Sequence, residues 1–177
     1  MTERTRITKR PQTRELIIER LISADCERVW LSWTRPEQLA QWWGPRAWIT
    51  TVHEMDVRPG GIWRYTLAPK DGSGELVRCK ATYREVQESA RLAYVDTFAD
   101  DLWQSVAGSE MDTVVTFEPV KQDTLLTIST RFASAADLDS AEAMGMVEGF
   151  SDALDRLEAY YAEEEAAGGV RKAPGTH

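Results

Sequence analysis

The sequence predicts an α+β domain in which a curved antiparallel sheet of about seven strands wraps around one long C-terminal helix. Three observations predict it. From Trp48 onward, apolar residues recur at every second position through several runs separated by turn residues. Near the C-terminus, Val147, Phe150, Leu154, Leu157 and Tyr161 recur at three- and four-residue spacing, the stripe of a helix with one buried face. Between the first strand and the rest lie two short helical stretches closed by Trp42-Trp43-Gly44-Pro45.

Taken in order, Glu15 to Ile22 is rich in Leu and Ile and reads as a strand. Ser23 or Asp25 can cap a short helix carrying Val29, Trp30 and Trp33 on one side. Thr34 opens a second one: Thr34 and Glu37 have the spacing of a capping box, and Pro36 suits a first turn. Gly44-Pro45 ends it, because Pro cannot continue a helix. The next strand places Ile49, Thr51, His53, Met55 and Val57 on one face and Thr50, Val52, Glu54 and Asp56 on the other. Pro59-Gly60 fits the centre of a type II turn, and the returning strand aligns Trp63, Tyr65 and Leu67. Lys70 to Gly74 is a further hairpin turn, followed by Val77, Cys79, Ala81 and Tyr83 in alternation with charged residues. Arg91–Phe98, Thr113–Glu118 and Thr124–Phe132 complete the strands, with an acidic loop holding Trp103 between the first two. A single helix follows from about Asp139 to Glu165.

These elements place a single domain over residues 14–166, preceded by a flexible basic arm, 1–13, and followed by a disordered tail, 167–177. A chain of 177 residues is long enough for a sizeable core. Its net charge of −8 gives no basic footprint for nucleic acid. The exception is the first fourteen residues, where five basic side chains face only Glu3. That arm reads as a solvated segment grazing its own acidic body. No apolar run approaches a membrane span, no secretory leader is evident, and a cytoplasmic location is the default expectation. Cys26 and Cys79 lack metal or redox spacing and read as small apolar residues.

The catalytic inventory is thin. His177 is terminal, and His53 has no Ser or Cys nucleophile in a recognised motif beside it. Alternation puts His53 on the face of Ile49 and Met55, as a wall residue or a polar ligand contact. Glu54 and Asp56 share the other face, where Arg64 is the expected partner rather than a metal. No cofactor or metal is expected. The aromatics carry more: each Trp can bury about 150–250 Å², worth roughly 4–6 kcal/mol at about 25 cal/mol per Å². Such side chains build either a filled core or a ligand cavity.

The stretch Pro36 to Pro45 resembles the helix-grip superfamily of birch-pollen allergens, START lipid-transfer domains and polyketide cyclases. More closely, Asp56-Val57-Arg58-Pro59-Gly60-Gly61, then Thr113–Glu118, Thr124–Thr127 and Gly149–Leu157, resemble its branch of activator-of-heat-shock-ATPase-like proteins. The likeness runs from about Arg14 to Tyr161, with Phe150 where a Trp is common. It implies the helix-grip fold and a cavity between sheet and helix. Trp43, His53, Met55, Trp63, Tyr65, Tyr83, Phe98, Met146, Phe150 and Leu154 are then the candidate contacts for an apolar or aromatic, lipid- or polyketide-like molecule. Two alternatives stay open. One is a cyclase- or hydratase-type enzyme using His53 and a tyrosine; the other is a chaperone partner that stimulates a heat-shock ATPase through an exposed Trp103 loop. A homodimer through a sheet edge or the Trp42-Trp43 region is compatible with all three.

Overall fold

The computed structural model describes the backbone of residues 5–175 and the side chains of residues 5–167. Among the described residues, eight antiparallel strands form one sheet: β1 (Thr5–Arg10), β2 (Glu15–Ile22), β3 (Trp48–Met55), β4 (Ile62–Pro69), β5 (Val77–Gln87), β6 (Arg91–Ala99), β7 (Met111–Val120) and β8 (Asp123–Phe132). Their spatial order is β1-β2-β8-β7-β6-β5-β4-β3. Hairpins generate every neighbour except β2–β8, where the chain's beginning meets its last strand. Helices α1 (Cys26–Thr34) and α2 (Pro36–Trp42) carry the chain from β2 to the far edge, where β3 begins. After β8 come α3 (Ala135–Ala143) and α4 (Met146–Gly175).

The residues explain most of these boundaries. Asp25 caps α1 by accepting a hydrogen bond from the Arg28 backbone N–H at 2.9 Å. The expected capping box at Thr34 does not form. Pro36 holds Arg35 extended, so Arg35 becomes the cap of α2 and makes no side-chain bond. Thr34 stays at the end of α1, its hydroxyl donating to the Trp30 carbonyl at 2.8 Å. Pro59-Gly60 forms the expected turn, with Gly60 at φ +85° and the Gly61 N–H donating to the Arg58 carbonyl at 2.7 Å. Gly61 must remain Gly, since a Cβ there would lie 1.9 Å from the Asp56 carbonyl oxygen.

Three further features differ from the sequence reading. Residues 5–10 of the expected flexible arm form the eighth strand, paired with β2 from Thr5↔Arg20 to Arg10↔Glu15. Its burial is slight, so pattern alone could not reveal it; backbone pairing and the ion pairs from Lys9 to Asp139 (2.9 Å) and Glu142 (2.7 Å) hold it. The single C-terminal helix is two, broken where Gly145 takes φ +93°. The backbone of α4 is helical as far as Gly175, whereas the expected disordered tail began at residue 167; the rest of that tail lies outside the described residues.

The core lies between the concave face of the sheet and the helices. Trp33, Trp42 and Trp63 are fully buried in it with Leu39, Leu126, Ile128 and Leu157. Trp33, Trp42 and Trp43 meet edge to face at 5.0–5.3 Å, the favoured aromatic arrangement. Arg20, 4% exposed, crosses from β2 to α4 and pairs with Asp155 (2.8 Å) and Glu158 (2.7 Å). Ser32 and Tyr161 share a buried hydroxyl–hydroxyl hydrogen bond of 2.7 Å, joining α1 to α4.

Candidate ligand cavity

Where α3 gives way to α4, the helices stand away from the sheet over a cavity of about 570 Å³. Alternation along the strands supplies its wall: Tyr65 and Leu67 from β4, Val77 and Cys79 from β5, Tyr94, Asp96 and Phe98 from β6. Thr113 of β7 and Phe132 of β8 extend it, and Met146, Gly149 and Phe150 cover it from α4. Trp43 closes one side because Gly44, at φ +93°, turns the chain sharply out of α2. The Trp43 carbonyl accepts a hydrogen bond from the Thr50 hydroxyl, which fixes that corner to β3.

The adjacent tryptophans divide the work. Trp42 is wholly buried, its indole N–H donating to the Ser32 carbonyl at 3.0 Å. Trp43 presents one side to that core and another to the cavity, touching Trp63 at 5.2 Å and Phe150 at 5.8 Å.

Of the ten candidate contacts, Trp43, Tyr65, Phe98, Met146 and Phe150 line the cavity. Trp63, Tyr83 and Leu154 are buried in the core beside it, and Met55 packs against that core. His53 lies on the opposite face of the sheet. The register slips between Val52 and Glu54, so His53 is the extra residue of a bulge. Upstream of that bulge Trp48, Thr50 and Val52 face inward, and Ile49, Thr51 and His53 face out. A two-residue period assumed to be unbroken through this strand selects the wrong face. His53 Nε2 meets the Thr66 hydroxyl at 3.0 Å, and its ring lies 5.4 Å from that of Trp103. Trp103 is itself held there under Arg64, at 5.0 Å, rather than displayed on an open loop; Leu102 and Val106 are the exposed large apolar residues of that loop. Arg64 also pairs with Glu54 at 2.8 Å, as expected from sequence.

The residue that sequence reasoning missed is Asp96. It stands in phase with Leu92 and Tyr94 at an inward position of β6, where a carboxylate is out of place. That phase was the available signal. Ala81, its cross-strand partner on β5, leaves room for it. Asp96 is 7% exposed; Oδ2 accepts a hydrogen bond from the Tyr65 hydroxyl at 2.8 Å, whereas Oδ1 is buried with no partner among the described residues. Burial pushes its carboxyl up to about 7, against the opposing pull of the Tyr65 hydroxyl. Burial likewise pushes the Cys79 thiol up to about 12, with Asp96 adding to the effect, which keeps it protonated and a poor nucleophile. The Tyr65 and Tyr94 hydroxyls are raised by burial and then by Asp96. Among the described residues, no cluster of His, Cys, Asp and Glu could hold a metal ion.

A curved antiparallel sheet closed by a long C-terminal helix over an apolar cavity defines the helix-grip class of protein. Within it, the chain belongs to the family described as Activator of Hsp90 ATPase homolog 1-like protein, whose model matches residues 23–162. The crystal structure of protein Ms6760 from Mycobacterium smegmatis is 29% identical, with 88% of this chain and 95% of that one covered at a TM-score of 0.81. A solution structure of a protein from Arthrobacter aurescens is 28% identical over 89% of this chain and 91% of its own, with a TM-score of 0.83. Protein CV1439 from Chromobacterium violaceum, 25% identical, covers 82% of this chain and 96% of its own at 0.70. No curated protein matched the chain. Membership of the family supports a ligand-binding or related function at that general level. Among the described residues, no helix is long and apolar enough to cross a membrane.

Proposed function

We propose that the protein binds an apolar or aromatic small molecule in the cavity between the sheet and α4, without transforming it. The observation behind this reading is the cavity itself: about 570 Å³, within the range of small-molecule sites, and walled by Trp43, Tyr65, Tyr94, Met146 and Phe150. Aromatic walls give large contact area at little entropic cost, and Met adapts to varied shapes. A cytoplasmic setting suits the two free thiols, Cys26 and Cys79.

The test uses N-phenyl-1-naphthylamine, an uncharged dye at neutral pH that brightens in apolar surroundings. Wild-type protein is expected to bind it saturably. Gly149→Leu places a branched side chain at the cavity roof, where a Cβ has room 3.7 Å from Pro45, and is expected to weaken binding at least tenfold. Equal dye binding by the two proteins would place the dye elsewhere and reject the reading.

One observation favours a second reading, a cyclase- or hydratase-type enzyme: Tyr65 and Asp96 form a hydrogen-bonded acid–base pair whose carboxyl changes protonation near neutrality. His53, on the outer face, has no place in it. Turnover of a bound substrate that survives both Asp96→Asn and Tyr65→Phe would remove this alternative.

A further inference from the structure

We infer that the cavity selects a cationic ligand, an amine carried on an apolar or aromatic body, and that Asp96 is its counter-charge. The inference rests on the reading of the cavity as a binding site and specifies the class of molecule it takes. Three observations carry it.

The first is the sign of the wall. Its ionisable acids are Asp96, Glu110 and Asp137, and among the described residues no Lys, Arg or His lines it. In a cleft with low-dielectric walls, charges of one sign focus their field inward, so this wall attracts cations and repels carboxylates. A fatty acid, otherwise a natural occupant of an apolar cavity, is thereby disfavoured. The second is the unfinished pairing of Asp96. Tyr65 satisfies Oδ2, whereas Oδ1 has no partner although nearly every buried polar atom in a folded protein has one. The carboxylate torsion is soft, so a modest rotation turns that oxygen toward a donor in the cavity. The desolvation of this carboxyl was met when the chain folded, so a ligand ammonium has only its own hydration to give up. The third is the set of aromatic rings at hand. Trp43, Tyr65, Tyr94 and Phe150 all line the cavity, and aromatic faces attract cations. A neutral alcohol gains from the unpaired oxygen alone; an amine gains from all three features.

The test compares three probes on one scaffold by calorimetry at pH 8: 4-phenylbutylamine, 4-phenylbutan-1-ol and 4-phenylbutanoate. The amine is expected to bind at least tenfold more tightly than the alcohol, and the carboxylate to bind weakest. Asp96→Asn keeps the shape and an acceptor for Tyr65; it is expected to abolish the amine's preference over the alcohol. Should that variant fail to fold, the wild-type protein gives the same answer through pH. Lowering the pH from 8 to 5.5 protonates Asp96 and is expected to remove most of the amine's preference. The other titratable groups facing it are Tyr65 on β4, Cys79 and Tyr83 on β5, Tyr94 on β6, and Glu110 and Asp137 across the cavity. Burial keeps the tyrosines and Cys79 protonated throughout that range. The Glu110→Gln/Asp137→Asn double variant therefore removes the other two acids and isolates Asp96, and its pH response is expected to persist. Amine and alcohol binding equally, an amine preference that survives Asp96→Asn, or a pH response lost in the double variant would overturn the assignment of Asp96 while leaving the cavity a binding site. Failure of all three probes and of the neutral dye would overturn both.

Discussion

Asp96 imposes a cost that pH can reveal. Its carboxyl titrates at about 7 in the folded chain, above the ordinary 3.8. Folding therefore takes up a proton between about pH 4 and pH 7, and stability rises as pH falls through that window. Above pH 7 the buried, ionised carboxylate costs up to about 4 kcal/mol, since each tenfold change in proton affinity is worth about 1.36 kcal/mol. Asp96→Asn is expected to raise the melting temperature by several degrees at pH 8 and to change it little at pH 4.5, measured by calorimetric unfolding. An equal change at both pH values would mean that Asp96 is not the titrating group. A buried carboxylate retained at such a cost is a candidate for function. It was nonetheless hard to see in the sequence, because a search for histidines, thiols and paired carboxylates passes over a single acid in a good strand. His53 shows the opposite error. Its chemistry drew attention, but it is the extra residue of a bulge and faces out with Ile49 and Thr51, and no periodicity encodes a bulge.

At the level of the elements, the helices are tied to the sheet by a few polar links through an otherwise apolar contact. Arg20 is the deepest of them. Truncating it removes the guanidinium that pairs with Glu158, itself only 14% exposed. Removing one member of a buried pair costs about 3–5 kcal/mol, and the greater exposure of Asp155 places this case near the lower end, at about 3 kcal/mol. Denaturant unfolding of Arg20→Ala should show that loss. The double variant Arg20→Met/Glu158→Leu should recover most of it, since an apolar pair of similar volume removes the half-buried carboxylate along with the guanidinium. A near-neutral Arg20→Ala would show that water reaches this pair. The elements themselves were largely legible in the sequence. The strands from β4 to β8, the Asp25 cap and the Pro59-Gly60 turn announce themselves through alternation and local chemistry. The start of α2 did not, because the constraint of Pro36 on Arg35 outweighs the Thr34–Glu37 pattern. The division between α3 and α4 depends on a positive φ at Gly145, which an uninterrupted helical stripe conceals.

For the molecule as a whole, the architecture follows from the order of its parts: strand, two short helices, a run of hairpins and a terminal helix leave few ways to cover one sheet face. What order alone could not supply was β1. Its sequence, Thr-Arg-Ile-Thr-Lys-Arg, has one large apolar residue, and the strand is justified by the edge that it covers. Removing residues 1–10 is expected to lower the melting temperature by only a few degrees, since β1 buries little surface. It bares the backbone of β2 along six residues, and unpaired strand edges recruit other chains. Sedimentation velocity of the shortened protein should therefore show concentration-dependent association beyond that of the full chain. Identical profiles would mean that the flanking charges protect β2 without help from β1.

Trp43 carries one more consequence, an optical one. The chain holds seven tryptophans, and Trp43 is within 5.3 Å of Trp33, Trp42 and Trp63. Indoles so close exchange excitation, so the group emits as a coupled set and its colour follows the member in the most changeable surroundings. That member is Trp43, with one side against the core and the other against the cavity. Filling the cavity should therefore shift or quench intrinsic emission without any added label, and Trp43→Phe should silence most of that response. The protein carries within its own wall a lamp by which occupancy can be read.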